Sequence, residues 1–434
     1  MKRNDYPGGE FFPVELEQEI RKHFCYVDHD YRNQRRIFFE NAGGSLRLKK
    51  AVERFAEVES IGDCPSRIHQ VALDLKQIIA QGIKDIRIIF GVSDKGSILT
   101  SFTASQVMFE MTRAIAENVP GKNIVTTMLE HPSSYDSAAQ AARKFGMELR
   151  VATPNQETGG VDPDTISSLI DEDTAFLSII YASNISGAIL NIEEIVKKAR
   201  SVKPDLFIIC DAVQHAPHGL IDAERLQLDA VNFAPYKFFG VRGFSLGWVS
   251  DRVSQLDRFG RIIAKPNIDW SMGSTSPAQY AAVSEIVSYV AWIGGHFNPS
   301  KDREVLFREG MERIKLQERA LMNHILEGTS SVPGLRNIAG VTVYLDDPDL
   351  TRRDFILAIE IEGLEYSEAV KEYEKEGVIV FERVATSYFS KRVVEAFQLK
   401  GTIRISPLHC HNTSDIDEFL KITKEIAGKY SKKN

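Results

Sequence analysis

The chain has 434 residues, of which 43% are hydrophobic and 26% charged, and its formal net charge is −7. This composition is typical of a globular protein with two domains, and the charge gives no sign of a nucleic-acid or anionic-membrane partner. No apolar run approaches the roughly 20 residues of a membrane span, and the start, MKRNDYPGGEFF, lacks a signal peptide's apolar core, so we predict a cytoplasmic protein.

The N-terminal part of the sequence predicts an arm followed by the start of a large domain. Residues 1–35 are polar and irregular except for a short charged helix predicted at Pro13–His23. We expect this arm to pack on a small C-terminal domain. A strand then begins near Arg36 and breaks into the turn Asn41–Ser45, before a helix that starts near Leu46.

Residues 36–295 alternate between helix and strand patterns. Apolar residues three or four apart between Ile68 and Phe90 predict a long amphipathic helix that ends at Gly91. Further helices are predicted after Ser105 and at Ser134–Phe145, Pro163–Ile170, Ile192–Arg200 and Ala278–Ile293, and strands at Ser97–Phe102, Asn123–Met128, Glu148–Ala152, Ala175–Tyr181, Leu206–Cys210, Ala230–Ala234 and Ser245–Val249. This alternation indicates β-α-β crossovers and a mainly parallel sheet of seven strands.

Residues 296–434 have a different pattern and predict a small α+β domain. Its predicted helices are Lys301–Glu327, Glu365–Glu376 and Ser414–Ala427, its predicted strands are Val341–Leu345, Phe355–Ile361, Val378–Phe381 and Thr402–Ser406, and the Lys-rich end, KYSKKN, is expected to be a solvated tail.

Two predicted strand ends place a carboxylate and a lysine close together. Asp211 follows the apolar strand Leu206–Cys210, and Lys237 follows the strand Ala230–Ala234. Open α/β sheets bind ligands at this edge. A pyridoxal phosphate (PLP) site needs a lysine for the Schiff base and a carboxylate that keeps the pyridine nitrogen protonated. By spacing alone, Asp211 could equally cap a turn, and Lys237 could be a solvated loop residue.

Sequence motifs around this pair resemble those of the class V aminotransferase family, PLP enzymes that include cysteine desulfurases and isopenicillin N epimerase-like proteins. The matching pieces are the D-x-x-Q pattern Asp211–Gln214, the run APHGLID at Ala216–Asp222 and YKFFG at Tyr236–Gly240. The desulfurase-like branch is the most similar. The resemblance implies a fold type I PLP-dependent transferase fold with Lys237 as the catalytic lysine and Asp211 on the pyridine nitrogen.

The resemblance also implies further cofactor contacts. His131, in an EH motif, would stack on the PLP ring, and Asn184, in an SNxxG loop, and Gln214 would approach the phenolic oxygen. The turn Thr103-Ala104-Ser105 would bind the phosphate at a helix N-terminus. On pattern alone, His131 could be a solvated side chain, the two amides could stabilise turns, and the Thr-Ala-Ser turn could be an ordinary helix cap.

Two further cofactor contacts depart from the family pattern. Desulfurases place serine and histidine before the lysine to bind the phosphate, whereas this chain has Ala234 and Tyr236, so a phenol is offered instead. Thr275 resembles the threonine that reaches the cofactor of the neighbouring subunit, with one residue inserted after Gly273. The resemblance implies a homodimer with shared active sites. A serine-rich helix cap would explain Thr275 equally well.

Arg404 and Asn41 are the predicted substrate-binding residues. Arg404 resembles the arginine of the RxSxxxYNT segment, which holds the substrate α-carboxylate, and its planar fork suits that role. The alternative for this arginine in an apolar strand is a structural ion pair. Asn41 lies in a sequence similar to FFxNAGG, whose turn lies beside the substrate.

The cysteines separate this chain from desulfurases that form a persulfide. The loop at 381–389, where those enzymes carry the nucleophilic cysteine, has none, and the four cysteines are far apart. They suggest neither a metal site nor a disulfide framework. Cys210 lies in an apolar run and is expected to be inert. Cys410 lies beyond Arg404 and is not expected to replace the missing nucleophile.

The expected function is that of a PLP-dependent lyase acting at Cα and Cβ of a small amino-acid substrate, by elimination and without a persulfide cysteine. The alternatives are an aminotransferase or an amino-acid epimerase of the same family, because the same deprotonation at Cα begins all three reactions. An inactive binding protein is the remaining alternative, and the joint presence of Asp211, His131, Lys237 and Arg404 argues against it.

Overall fold

The computed structural model describes residues 8–430, which form thirteen α-helices and thirteen β-strands. The helices are α1 (Val14–His23), α2 (Lys49–Glu59), α3 (Gln70–Phe90), α4 (Ala104–Asn118), α5 (Pro132–Phe145), α6 (Pro163–Ser167), α7 (Ile192–Val202), α8 (Asp251–Ser254), α9 (Pro277–Gly295), α10 (Arg303–Glu327), α11 (Tyr366–Lys375), α12 (Lys391–Ala396) and α13 (Thr413–Tyr430). The strands are β1 (Ile37–Phe38), β2 (Ser97–Ser101), β3 (Asn123–Thr127), β4 (Glu148–Ala152), β5 (Thr174–Ile180), β6 (Phe207–Asp211), β7 (Ala230–Phe233), β8 (Ser245–Val249), β9 (Val341–Tyr344), β10 (Leu357–Ile361), β11 (Val378–Ile379), β12 (Phe381–Val384) and β13 (Gly401–Ile405).

A seven-stranded sheet, ordered β2-β8-β7-β6-β5-β3-β4, forms the centre of the molecule. The strands from β7 to β4 pair in parallel, and β8 is antiparallel to both of its neighbours. Every residue of β3, β5, β7 and β8 is buried. Helices on both faces cover such a sheet, which explains the continuous apolar runs in the sequence. The predicted mainly parallel seven-stranded sheet is confirmed.

A second sheet has its own hydrophobic core. Strands β12-β13-β10-β9 pair antiparallel, and the short parallel pair β1-β11 lies with them around a core that includes Tyr373 and Phe419. Phe39, just after β1, packs its ring against that of Phe419. The first part of the predicted large domain therefore contributes to this second core. The division at residues 35 and 295 stays a prediction.

The N-terminal segment contacts both α10 and the start of α13. The amide of Glu10 donates to the carbonyl of Leu316, and that of Phe12 donates to the Gln317 side chain at 2.7 Å. Arg21 on α1 forms an ion pair with Asp415 at 2.6 Å. Residues 1–7 of the predicted arm and residues 431–434 of the predicted tail lie outside the described part of the chain.

Several predicted element boundaries are wrong in detail. Strand β1 has two residues only, because Asn41 folds the chain into a turn immediately afterwards. The predicted strand Val378–Phe381 is split between β11 and β12, which pair with different sheets. Ile68 was expected on the buried face of a helix, but it precedes α3 and is 92% exposed. Within residues 8–430, no helix combines the length and apolar character needed to cross a membrane.

Candidate active site

Asp211 and Lys237 follow neighbouring strands at the carboxyl edge of the seven-stranded sheet. Asp211 is the last residue of β6, and it lies opposite Asn232 of β7 in the parallel ladder. Lys237 ends the 3-10 turn that follows β7. The two residues are 4% and 9% exposed. The sheet therefore places both side chains, buried, at the edge where open α/β sheets bind ligands.

A cavity of about 450 Å³ lies at this edge, within the usual range for small-molecule sites. The predicted site residues that line it are Thr103, Ala104, Ser105, His131, Asn184, Asp211, Gln214, Tyr236 and Lys237. The lining residues that were not predicted are Phe102, Ser133, Ile180, Val213, Arg242 and Gly243. A larger groove of about 690 Å³ between α4 and α5 contains neither Asp211 nor Lys237, so we assign the candidate site to the smaller cavity.

The Asp211 carboxylate is fixed by one hydrogen bond to each oxygen. The Val213 amide donates to Oδ1 at 3.1 Å, and the Ser134 hydroxyl donates to Oδ2 at 2.8 Å. Burial raises the pKa of Asp211, while these two donors and Lys237 act in the opposite direction. A cation that approached the carboxylate from the cavity would therefore stabilise its ionised form.

Lys237 makes no hydrogen bond or ion pair within residues 8–430. Burial, and then the Arg404 guanidinium, lower the pKa of Lys237 to about 7, although Asp211 and Glu40 oppose this shift. An ordinary lysine is almost fully protonated at neutral pH, so this amine is available as a nucleophile to an unusual extent. A buried lysine with a free amine is the feature that a carbonyl ligand requires.

His131 lies at the N-terminus of α5 as a neutral imidazole. Nδ1 lies 2.7 Å from the Ser133 hydroxyl and accepts from the Ser133 backbone amide at 3.2 Å. Burial and the nearby Lys237 lower the pKa of His131 to about 3. A neutral ring avoids placing another cation beside Lys237, and it can stack against a flat ligand in the cavity.

The first turn of α4 forms one end of the cavity. The hydroxyl of Thr103 is used in a capping box with Gln106, accepting from its amide at 3.2 Å. The amides of Ala104 and Ser105 have no acceptor within residues 8–430, as expected for the first positions of a helix. These amides and the helix dipole provide the anion-binding environment that the sequence predicted.

The remaining lining residues form the walls of the cavity. The amide nitrogen of Gln214 donates to the carbonyl of Ala42 at 3.2 Å, which joins this wall to the N-terminal turn. The backbone carbonyl of Tyr236 accepts from Arg47 at 2.7 Å. Asn184 lies in the loop after β5, and its backbone carbonyl accepts from Arg404.

Arg404 and Asn41 lie beside the cavity rather than among the residues that line it. Arg404 is buried, donates to the Asn184 carbonyl at 3.0 Å and forms an ion pair with Glu40. The side chain of Asn41 donates to the Ser406 carbonyl at 2.9 Å and accepts from the Leu46 amide at 2.9 Å, so it stabilises the turn. The substrate roles of Arg404 and Asn41 stay predictions.

Thr275 is absent from the cavity lining of this single chain. It lies in the loop before α9, and the next residue, Ser276, donates to Glu59 at 3.3 Å. The predicted role of Thr275 concerns the cofactor of a neighbouring subunit, so it stays a prediction.

Sequence reasoning missed several side chains that shape the site. The Ser134 hydroxyl donates a hydrogen bond to the Asp211 carboxylate. The sequence could have indicated this residue, because Ser134 lies three positions after the predicted His131. Burial raises the pKa of Glu130 to about 8, which favours its neutral form beside Asp211. Arg383 on β12 is buried near Arg404, and burial and that neighbour lower its pKa to about 10. The sequence contains no pattern that would have identified Arg383 or Glu40 as site residues.

Comparison with known proteins identifies the family. The model of the aminotransferase class-V family matches residues 37–419, which is most of the chain. The chain belongs to the aminotransferase class-V family. Members of this family are PLP-dependent enzymes, and the described fold agrees with that of fold type I.

Cysteine desulfurases are among the relatives of this class-V chain. It is 22% identical to a cysteine desulfurase of Wigglesworthia glossinidia brevipalpis, over 93% of this chain and 96% of that protein. It is 28% identical to the cysteine desulfurase IscS of Dictyoglomus turgidum, but that match spans 48% of this chain and 53% of IscS.

Solved structures of desulfurases share the fold. The apo structure of a cysteine desulfurase from Thermococcus onnurineus has a TM-score of 0.80 at 18% identity, covering 97% of this chain and all of that one. The cysteine desulfurase CsdA from Escherichia coli has a TM-score of 0.77 at 16% identity, covering 97% and 99% of the two chains. At these identities, the structural likeness shows the fold alone.

The cavity of this class-V chain fits PLP. It contains a lysine with a free amine, a carboxylate that a cation would stabilise, a neutral imidazole for stacking and free helix amides for a phosphate. These four features correspond to the aldehyde, the pyridine nitrogen, the ring and the phosphate of PLP. The residues present therefore agree with the cofactor of the family.

Proposed function

We propose that this protein is a PLP-dependent lyase that eliminates a leaving group from the β carbon of an amino acid. The observation that carries the proposal is Lys237, a buried lysine that lines one cavity with Asp211 and makes no hydrogen bond or ion pair within residues 8–430. The class-V relationship supports PLP chemistry, and the positions of the cysteines favour elimination over persulfide formation.

The cavity residues would hold the cofactor as follows. Asp211 would pair with the protonated pyridine nitrogen, and Ser134 would keep the carboxylate oriented towards it. His131 would cover one face of the ring, and the amides of Ala104 and Ser105 would bind the phosphate. Tyr236, Asn184 and Gln214 would form the remaining contacts. Bound PLP supplies an electron sink for the electron pair that remains when Cα loses its proton.

The substrate would be positioned by Arg404 and deprotonated by Lys237. The guanidinium of Arg404 suits the α-carboxylate because it is planar and always charged. Glu40 already pairs with this guanidinium, so an incoming carboxylate has to share or replace that contact. With a pKa lowered to about 7, Lys237 can accept the Cα proton and deliver it to the departing group.

Elimination then depends on cleavage of the bond between Cβ and the leaving group. The bond to the leaving group breaks, and its electron pair departs with that group. Hydrolysis of the resulting unsaturated amine gives a keto acid and ammonia in equal amounts. Transamination would release a keto acid without ammonia, and epimerisation would change the configuration at Cα alone. The products therefore distinguish the three reactions.

The cysteines support elimination without a persulfide. Cys410 is buried, and burial raises the pKa of its thiol above the usual range. Cys210 is buried within β6, in agreement with its place in an apolar run of the sequence. The loop after β12, from Ala385 to Ser390, has no cysteine. A transferable sulfur atom would therefore have no nucleophile to receive it at this loop.

The shared-site arrangement and the cellular location belong to the same proposal. Thr275 would reach the cofactor of the second subunit in a homodimer, as the family resemblance implies. The protein would act in the cytoplasm on a free amino acid.

The test is an absorption spectrum of the purified chain with PLP, followed by addition of a panel of amino acids. We expect a near-visible band that Lys237→Ala abolishes and that true substrates shift, with equal yields of keto acid and ammonia. Keto acid without ammonia would favour an aminotransferase, and a D-amino acid would favour an epimerase. The absence of the band from the wild type would overturn the enzyme proposal and favour a binding protein.

A further inference from the structure

Arg242 lies on the wall of the cavity, in the loop that follows Lys237. Its guanidinium carbon lies 4.3 Å from the centroid of the Tyr236 ring. The next residue, Gly243, has a φ of +81°, a conformation that other residues rarely adopt. The loop thereby brings an arginine into the same cavity as Thr103, Ala104 and Ser105.

The Arg242 guanidinium has no carboxylate partner in the described part of the chain. No ion pair to its guanidinium occurs among residues 8–430. A β-carbon on Gly44 would lie 2.7 Å from Nη2 of Arg242, so the glycine leaves space for the guanidinium. The guanidinium also interacts with the Tyr236 side chain, and its five N–H donors exceed what that one side chain can accept.

This cation lies where the chain has lost a phosphate donor. Ala234 and Tyr236 replace the serine and histidine of the desulfurase pattern, so fewer donors face the doubly charged phosphate. The nearby Arg47 is already engaged, because it donates to the carbonyls of Ser45 and Tyr236. Arg242 is the cavity-lining arginine that remains available.

We propose that Arg242 binds the phosphate of PLP, together with the first turn of α4, and replaces the donor missing at position 234. This inference rests on the proposed function, since it requires PLP in this cavity. It assigns a cofactor contact to a residue outside the predicted set. An arginine pairs with phosphate through two parallel N–H bonds, which a phenol cannot provide.

The test compares PLP with pyridoxal, which has the same ring and aldehyde but no phosphate. Each is titrated into the cofactor-free full-length chain, and its dissociation constant is measured by absorption. The proteins are the wild type, Arg242→Gln, Arg242→Lys and the control Arg32→Gln. Arg32 is a good control because it is a surface arginine that also lies near a tyrosine ring, 5.7 Å from the Tyr31 centroid.

We expect Arg242→Gln to weaken PLP binding about tenfold or more, the scale of one charge-assisted pair, and to leave pyridoxal binding unchanged. Arg242→Lys should regain part of the PLP affinity, and Arg32→Gln should bind both ligands like the wild type. Inorganic phosphate should compete with PLP more weakly in Arg242→Gln than in the wild type.

Comparing PLP with pyridoxal distinguishes the ways in which the proposal could fail. An equal loss for PLP and pyridoxal would overturn the phosphate contact, since it would show that Arg242 acts on the ring or on the fold. Unchanged PLP affinity in Arg242→Gln would also overturn it. A wild type that binds neither ligand would instead refute the proposed function itself, independently of Arg242.

Discussion

Asp211 and Lys237, at the floor of the cavity, follow neighbouring buried strands, and Ser134 reaches Asp211 from the next helix on that side of the sheet. Arg404, beside the cavity, comes instead from the second sheet and contacts Glu40, 364 residues earlier in the chain. The floor is thus fixed by one mainly parallel sheet, whereas Arg404, at the proposed substrate end, depends on contacts between distant segments.

This difference indicates how one fold can serve several reactions. The floor positions the groups that would hold PLP, and the core strands leave it little freedom to move. The substrate end can change its residues without disturbing the sheet, as the absence of a cysteine from the loop after β12 illustrates. Under the proposed function, cofactor chemistry and substrate choice would be carried by separate parts of the molecule.

The largest effect is expected at the floor, from Asp211→Asn. A neutral amide cannot stabilise a protonated pyridine nitrogen, so we expect a loss in kcat of roughly 10²–10³-fold, the scale of a removed electrostatic partner. Steady-state kinetics with the best substrate of the panel would measure it. The exposed Asp205→Asn is a matched control, and a kcat within about twofold of wild type for Asp211→Asn would contradict the assignment.

At the substrate end, Arg404→Gln should raise KM by roughly 10- to 100-fold and leave the near-visible band of the bound cofactor intact. Arg404→Lys should recover only part of the loss, because an ammonium lacks the bidentate fork. Glu40→Gln should have the opposite effect and lower KM, since it removes the anion that occupies Arg404. If Arg404→Gln abolished the band instead, the proposed separation of floor and substrate end would be wrong.

A smaller effect is expected for Ser134→Ala. The serine hydroxyl is one of the two donors to the Asp211 carboxylate, so its loss should weaken PLP binding about tenfold. The same substitution at the exposed Ser168, whose hydroxyl donates to the Thr165 carbonyl far from the cavity, is the matched control and should leave PLP binding unchanged. Equal effects of the two variants would show that the hydroxyl of Ser134 is not specifically required.

The smallest effect is a shift in a pH midpoint. Below its pKa, Lys237 is protonated and has no lone pair, so the rate of PLP capture by the cofactor-free chain should rise with pH through about 7 and then level off. Arg404 lowers this pKa, so Arg404→Gln should move the midpoint upward. Stopped-flow absorption at a series of pH values measures it. An unchanged or lower midpoint would contradict the proximity of the two cations.

The sequence predicts the floor better than the rest of the site for a physical reason. Asp211 ends β6, and Thr103 and His131 follow β2 and β3 within four residues, so strand patterns and the family motifs place them together. The contact between Glu40 and Arg404 depends on how β1 and β13 meet across the two sheets, and so does the position of Arg383. A local sequence pattern does not encode this meeting of distant strands. The sequence motif around Asn41 predicted a position beside the substrate, whereas the Asn41 side chain stabilises a turn.

The most direct measurement is to treat the PLP-loaded protein with borohydride and to locate the cofactor by peptide mass spectrometry. We expect a reduced pyridoxyl phosphate group on the peptide that contains Lys237. This group should be absent from Lys237→Ala. Attachment to another lysine, or to none, would contradict the claim that the Asp211 and Lys237 cavity is a PLP site.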